Sequence, residues 1–533
     1  MSSSTQEHTS RSRWTTLPAT AVSSLTSSSI VALVVVLALV SIFNFLTLLH
    51  PIEAHYDDAW YASRAWAVIH TGYAFGPLDQ GVLSNFDGYW TYFWLAATWV
   101  DSLFVRVFGP TLLAVRLSSF VFGIALLCVV YSIASRLATP RVGLLAVVIG
   151  SFSLPFMYSS HVGRSDIMVA TLGFGALALY LSQDTSAFSA KSVLTGLALG
   201  IAFDIHPTSV IYIPVIGALL LFDYKLTVLR AGRTWGFLLG LLCGFAYFAA
   251  VHILPYPQTY FAISHMQQGT DVTTPPITVL NPEVWIQSLS HVLSLLSLLN
   301  PLTLELLIAA IAVLLYKPIA IVTRALLAFG VLVLSFAAIV PLKPVYYAIL
   351  IAPFSWLLIA TAAGKITQTI VHWAASRRTA FLLTSLTVTA LAGILALNAV
   401  PMLPFLLDDS YPDYEAALQL IQKTVPPGTS AIGNQTFWFA RPDQPYYAWE
   451  QFSYYRRYYP GSTVADAIQG LHVDYVVMDR LTDNFLTDDP TLLYSNIAVP
   501  QAQLKSFLDE HTSLVAEGTN ATYGHIRIYK VSK

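Results

Sequence analysis

Charge is scarce in this chain. Of its 533 residues only 11% are Asp, Glu, Lys or Arg, against about 25% in a soluble globular protein. With 56% of residues hydrophobic, that deficit excludes an ordinary soluble domain and points to a polytopic α-helical membrane protein. Neither sign of charge dominates. The 27 basic and 29 acidic side chains leave a net charge of −2, so there is no electrostatic footprint for nucleic acid. Cysteine is nearly missing. Cys128 and Cys243 both fall inside apolar runs, which excludes a disulfide framework and cysteine-based zinc spacing. No Gly-rich turn after a strand marks a nucleotide site. No internal repeat of the kind that marks many transporters is visible.

What the chain does have is a series of apolar runs near the roughly 20 residues that cross a bilayer as a helix. They fall at 30–49, 112–135, 141–159, 166–183, 192–205, 207–222, 233–255, 301–316, 324–341, 345–363 and 379–400, about eleven spans. Residues 1–29, rich in Ser and Thr, read as a disordered cytoplasmic tail. The run 30–49 is too long for a signal-peptide core and reads as an uncleaved signal anchor. Basic residues in short loops set the orientation. Arg136, Arg141, Lys191, Lys225, Arg230, Arg233, Lys317, Arg324, Lys365, Arg377 and Arg378 share one side if 30–49 runs outward and 112–135 returns. The N-terminus is then cytoplasmic, and the loops holding Asp57, Asp58 and Asp166 lie outside a plasma, or inner, membrane. On this orientation the aromatic-rich segment 90–108, carrying Asp101 and Arg106, is an amphipathic helix in the outer interface, and 285–299 lies flat in the same way.

After residue 405 the composition changes. "DYEAALQLIQKTVPPG" and "QAQLKSFLDEHT" read as helices, while "VDYVVMD" and "GHIRIYKV" read as strands. The expected organisation is a tail at 1–29, a transmembrane catalytic domain at 30–404 with a first outer loop at 50–111, and an extracytoplasmic α/β domain at 405–533.

Three stretches carry candidate chemistry. In "HYDDAWYASRAW" the adjacent carboxylates Asp57 and Asp58 sit at the lip of the first span. A hydrated loop would explain one carboxylate there. Two are costly near lipid and suggest function. Tyr61, Ala62, Ala65 and Ile69 have helical spacing, so a short helix would fix them. A fixed carboxylate beside a dry cavity serves as a general base or holds a hard cation. In "HVGRSDIMVATLGF", Arg164 and Asp166 stand at the mouth of a span, where a local snorkelling pair is the plain alternative. In "PLKPVYYAILIAPF", Lys343 lies outside, where the positive-inside bias does not ask for it. Beside it Tyr346 and Tyr347 are either belt aromatics or part of a phosphate-headgroup site. A divalent metal stays an open question, with Asp57, Asp166 and His265 as candidate ligands that no local spacing demands. The cluster "QFSYYRRYYPG" at 451–461 reads as a packed or solvated surface, or as a contact for lipid headgroups or sugar.

These three elements, in this order, resemble the GT-C superfamily of membrane glycosyltransferases, in particular its protein O-mannosyltransferase and aminoarabinose transferase group (glycosyltransferase families 39 and 83). The matching residues are Asp57, Asp58, Tyr61, Ala62, Thr71 and Gly72, then Arg164, Ser165 and Asp166, then Lys343, Tyr346, Tyr347 and Pro353. Asp58 stands where that group usually has Glu, and "NFDGYW" replaces a His-Pro-Pro-Leu. The resemblance implies an inverting transferase with a polyprenyl-phosphate sugar donor and a lipid, glycan or protein acceptor, working among membrane lipids. It also implies Asp57 as the base, Asp58 and Asp166 as orienting groups, and Lys343 and Arg164 as partners of the phosphate. The rival from another class is a multi-pass transporter or glycolipid flippase.

Overall fold

The computed structural model describes residues 27–50, 54–85, 94–183, 186–268, 282–298, 302–340, 344–373, 410–489 and 498–532, with scattered positions between 376 and 407. Among them, six helices are long and apolar enough to cross a bilayer. They are Ser28–Thr47, Leu112–Leu137, Pro207–Arg230, Gly232–Ile253, Ala320–Ile339 and Ala352–Trp373. The protein is an integral membrane protein built mostly of helices.

Helix α1 (Ser27–Thr47) is apolar almost throughout, and most of its side chains are left for lipid. α2 (Tyr56–Thr71) follows at once. α3 (Leu95–Phe108) has 14 residues, about 21 Å at 1.5 Å per residue, short of the roughly 30 Å hydrocarbon core. Within the expected segment 90–108 the helix begins only at Leu95, where the Asp204 carboxylate accepts from the Ala96 amide (2.9 Å). α4 (Leu112–Leu137) is the longest described helix and is largely buried in the bundle.

The expected span 141–159 is instead two helices, α5 (Pro140–Ser151) and α6 (Leu154–His161), bent by 65°. The sequence dictates the break. The Ser153 hydroxyl caps a new helix, and Pro155 in its first turn has no amide to continue the old one. α7 (Asp166–Leu181) has 16 residues and Thr303–Leu315 has 13, both shorter than the other spans. The expected span 345–363 starts later, at Ala352, because Val345–Leu350 forms a 3-10 turn. The expected span 379–400 falls largely outside the described residues.

α8 (Ala190–Ile205) lies against Gly232–Phe248 along a stripe of glycines. A Cβ on Gly200 would come within 2.6 Å of the Gly244 backbone, and one on Gly240 would meet the Val193 carbonyl. Small residues at four-residue spacing let two helix backbones approach this closely.

The C-terminal domain holds a five-stranded sheet of order β2-β1-β3-β7-β6. Its strands are β1 (Ala431–Gly433), β2 (Tyr446–Ala448), β3 (Tyr475–Met478), β6 (Thr512–Asn520) and β7 (Gly524–Val531). The first three are parallel and the last two join antiparallel, while β4 (Leu486–Thr487) and β5 (Val499–Pro500) form a separate parallel pair. The helices expected from "DYEAALQLIQKTVPPG" and "QAQLKSFLDEHT" are Tyr411–Thr424 and Gln501–His511. This domain is docked on the membrane part. Ala59, Trp60, Ala62 and Ala65 of α2 share one apolar core with Tyr414, Phe437, Trp438 and Tyr475. Fully burying an indole such as Trp438 contributes roughly 5 kcal/mol of transfer free energy.

Candidate active site

The site begins at the start of α2. His55 is its N-cap, and its imidazole Nδ1 accepts from the Asp57 amide (3.2 Å). Burial, with Arg164 and Arg116 nearby, holds this imidazole well below its usual pKa. His55 is therefore neutral, and its approach to the Asp57 carboxylate is not an ion pair. Asp58 closes the capping box by accepting from the His55 amide (2.9 Å). The two neighbouring carboxylates then part company. Asp58 is fully buried, takes the Gly163 amide on its other oxygen and pairs with Arg116 of α4 at 3.1 Å. A Cβ at position 163 would lie 2.8 Å from that Asp58 oxygen, so only glycine lets the loop come this close. Asp57 keeps 19% of its side chain exposed and pairs with Arg164.

Arg164 joins the first two sequence elements. One of its nitrogens meets Asp57, and its Nε donates to Asp166 Oδ2 at 2.7 Å. The loop that carries it is fixed by Ser119 of α4, whose hydroxyl donates to the Arg164 carbonyl (3.1 Å) and accepts from its amide (3.2 Å). Tyr61 meets the next residue, Ser165, hydroxyl to hydroxyl at 2.6 Å. The third element arrives with the 3-10 turn. The Tyr346 ring lies flat under the Arg164 guanidinium, 3.6 Å from the ring centre to Cζ. Tyr347 packs edge-on against His206, whose ring neighbours Trp94. Among the described residues Asp166 Oδ1 is buried with no hydrogen-bond partner. Lys343 lies outside the described residues, as does the side chain of His265.

Asp57 also faces a cavity of about 120 Å³. Trp60, Tyr61, Arg64 and Trp94 line it from the membrane part, while Glu450 and Tyr454 line it from the C-terminal domain. Arg64 is held by Asp79 in a buried two-pronged pair (NH2 to Oδ1, 2.8 Å; Nε to Oδ2, 3.0 Å). Its guanidinium lies over the rings of Trp60 and Trp94. Glu450 is buried and accepts from Gln435, and burial pushes its carboxyl up to about 7.

Of the residues expected from sequence, Asp57, Asp58, Tyr61, Arg164, Asp166, Tyr346 and Tyr347 thus gather at one end of the bundle. Sequence reasoning missed Arg116, Arg64 and Glu450. Arg116 carried a usable signal, because an arginine inside an apolar run demands a partner. Glu450 carried none, since it lies far along the chain. As for a metal, no group of three or more His, Cys, Asp or Glu among the described residues could hold one. Asp57 and Asp166 instead share the Arg164 guanidinium.

Comparison with known proteins supplies the fold class. The family model for dolichyl-phosphate-mannose-protein mannosyltransferase matches residues 95–254. No curated protein matches the chain. The fold is that of the GT-C membrane glycosyltransferases. ArnT from Cupriavidus metallidurans, solved bound to undecaprenyl phosphate, superposes with a TM-score of 0.54 at 14% identity, covering 94% of this chain and 98% of that one. The oligosaccharyltransferase of Archaeoglobus fulgidus in its apo form also gives 0.54, at 12% identity, over 94% of this chain and 74% of that one. AglB from the same organism, in complex with an inhibitory peptide and a dolichol-phosphate, gives 0.51 at 12% identity, over 94% and 74%.

Proposed function

We propose that the protein is an inverting glycosyltransferase that moves a sugar from a polyprenyl-phosphate donor to a hydroxyl acceptor on the extracytoplasmic side of the membrane. The observation that carries this reading is the position of Asp57. It is paired with Arg164 at the end of an apolar bundle and also lines a polar cavity under the C-terminal domain. A polyprenyl chain reaches that seam from lipid, and an acceptor reaches it from water. The undecaprenyl phosphate and dolichol-phosphate bound by the structural neighbours support the donor class.

Asp57 accepts the proton of the acceptor hydroxyl as its oxygen attacks the anomeric carbon. The bond from that carbon to the phosphate oxygen breaks, and the polyprenyl phosphate leaves with the electron pair. Attack from the face opposite the leaving group inverts the anomeric centre. Arg164 offsets the charge that builds on the phosphate, with Lys343 as the second cation. Asp58 acts through position alone, by fixing the start of α2 against Gly163 and Arg116. Asp166 offers its unpaired oxygen to a donor hydroxyl. A cavity of about 120 Å³ beside Asp57 gives room for a sugar ring. Asp57, Asp58, Arg164 and Asp166 lie together at one end of the bundle, whereas a transporter would need polar sites at mid-membrane.

The test is release of free polyprenyl phosphate from a panel of polyprenyl-phosphate sugars by reconstituted protein. Wild type should release it from one donor class, and Asp57→Asn should be slower by about 10²–10⁴-fold. A folded Asp57→Asn that keeps full activity rules out the base assignment.

A further inference from the structure

The cavity before Asp57 is built from two domains, and the contribution of the C-terminal domain is fixed from both sides. Glu450 is the residue before helix Gln451–Tyr458, and its carboxylate accepts from Gln435, which is itself buried. Gln451 accepts from the Val82 amide of the membrane part at 3.0 Å, which pins the start of that helix. One turn further on, Tyr454 packs with Val82 and Leu83. The opposing wall offers the aromatic rings of Trp60 and Trp94 and, between them, the charge of Arg64 locked by Asp79.

Aromatic side chains beside fixed carboxyl and guanidinium groups match a pyranose, which is apolar along its C–H bonds and carries hydroxyls at its rim. A lipid tail has no use for Glu450 or Arg64, and a peptide would need an extended groove rather than a half-open space of about 120 Å³. We propose that this cavity is an acceptor subsite for a single sugar residue, in which Glu450 and Tyr454 of the C-terminal domain read the hydroxyl pattern of the acceptor. The proposal rests on the transferase reading and deepens it, because it makes the acceptor a glycan or glycolipid rather than a protein side chain. Glu450 is a specificity residue here and Asp57 remains the base. The proton still passes from the acceptor hydroxyl to Asp57, and Glu450 contributes hydrogen bonds only.

Binding can be read without turnover. Protein in nanodiscs is titrated with methyl glycosides of glucose, mannose and galactose, and with glycerol, while tryptophan fluorescence reports on Trp60 and Trp94. Glu450→Gln and Tyr454→Phe keep the size of each side chain, so two independent variants guard against misfolding of either one. At least one hexoside should quench wild type where glycerol does not, and both variants should weaken that binding tenfold or more. In transfer assays the same variants should raise the acceptor KM by a similar factor and leave the donor KM unchanged. Equal hexoside affinity in wild type and both variants overturns the subsite, as does the absence of any hexoside binding beyond that of glycerol. If wild type binds a hexoside through Glu450 yet releases no lipid phosphate from any donor, the sugar site stands and the transferase reading beneath it fails.

Discussion

Replacing Asp58 by alanine should destabilise the protein far more than replacing its neighbour Asp57. The Asp58 side chain and its partner Arg116 are both fully buried, so truncation leaves an arginine charge in the interior. Breaking such a pair costs about 3–5 kcal/mol. Two amides, those of His55 and Gly163, lose their acceptor as well, each worth about 1–3 kcal/mol when left buried and unpaired. These terms overlap, so the loss should lie at or above the upper end of the first range. Asp57 is 19% exposed, and its partner Arg164 keeps Asp166 when Asp57 is removed. Asp57→Ala should therefore cost less, about 1.5–3 kcal/mol. The assay is denaturant unfolding in mixed micelles, with Asp58→Leu/Arg116→Met as the compensating pair. Removing both charges together should recover much of the loss. Equal unfolding midpoints for Asp58→Ala and Asp57→Ala would refute the division of labour between the two carboxylates.

Three further outcomes follow from the same geometry. Arg164→Lys should keep the charge but lose the two-carboxylate fork and the stacking on Tyr346. Its transfer rate should fall at least tenfold while it stays folded, and unchanged kinetics would remove Arg164 from the mechanism. Gly200→Leu should push α8 away from Gly232–Phe248, since even one Cβ meets the Gly244 backbone, and the variant should be recovered poorly from membranes. A yield equal to wild type would contradict the close approach. Glu450 has its folded pKa raised from the usual 4.5 to about 7 by burial. The native state therefore binds more protons there than the unfolded chain, and stability should fall as pH rises from about 4.5 to about 7. Glu450→Gln should make that slope shallower, and an identical pH–stability profile in the variant would contradict it.

Much of the site was legible because its chemistry sits in short local patterns at helix starts. Asp57, Asp58 and Tyr61 fall within one turn and a half of α2, and Arg164 and Asp166 open α7. What joins these patterns is long-range and left little trace in sequence. Asp58 is bound to Gly163 and Arg116, 105 and 58 residues away, and Glu450 reaches the cavity from a domain with no recognisable motif. The run 141–159 reads as one continuous span because its two helices together are apolar enough to cross a bilayer, although Ser153 and Pro155 signal the break. The glycines at 196, 200, 236, 240 and 244 were equally readable, because four-residue spacing in apolar helices points to close packing. The short strands β1 and β2, three residues each, are too brief for an alternating pattern to stand out.

The central claim is that a sugar leaves a lipid phosphate and arrives inverted on a hydroxyl at Asp57. The most direct measurement supplies reconstituted wild type with a polyprenyl-phosphate sugar of one defined anomer and a glycoside acceptor. The products are then read by NMR and by the amount of free polyprenyl phosphate. The account predicts a new glycosidic bond of the opposite anomeric configuration, formed one for one with released lipid phosphate and lost in Asp57→Asn. A product that retains the donor configuration, or transfer that survives in Asp57→Asn, would contradict it.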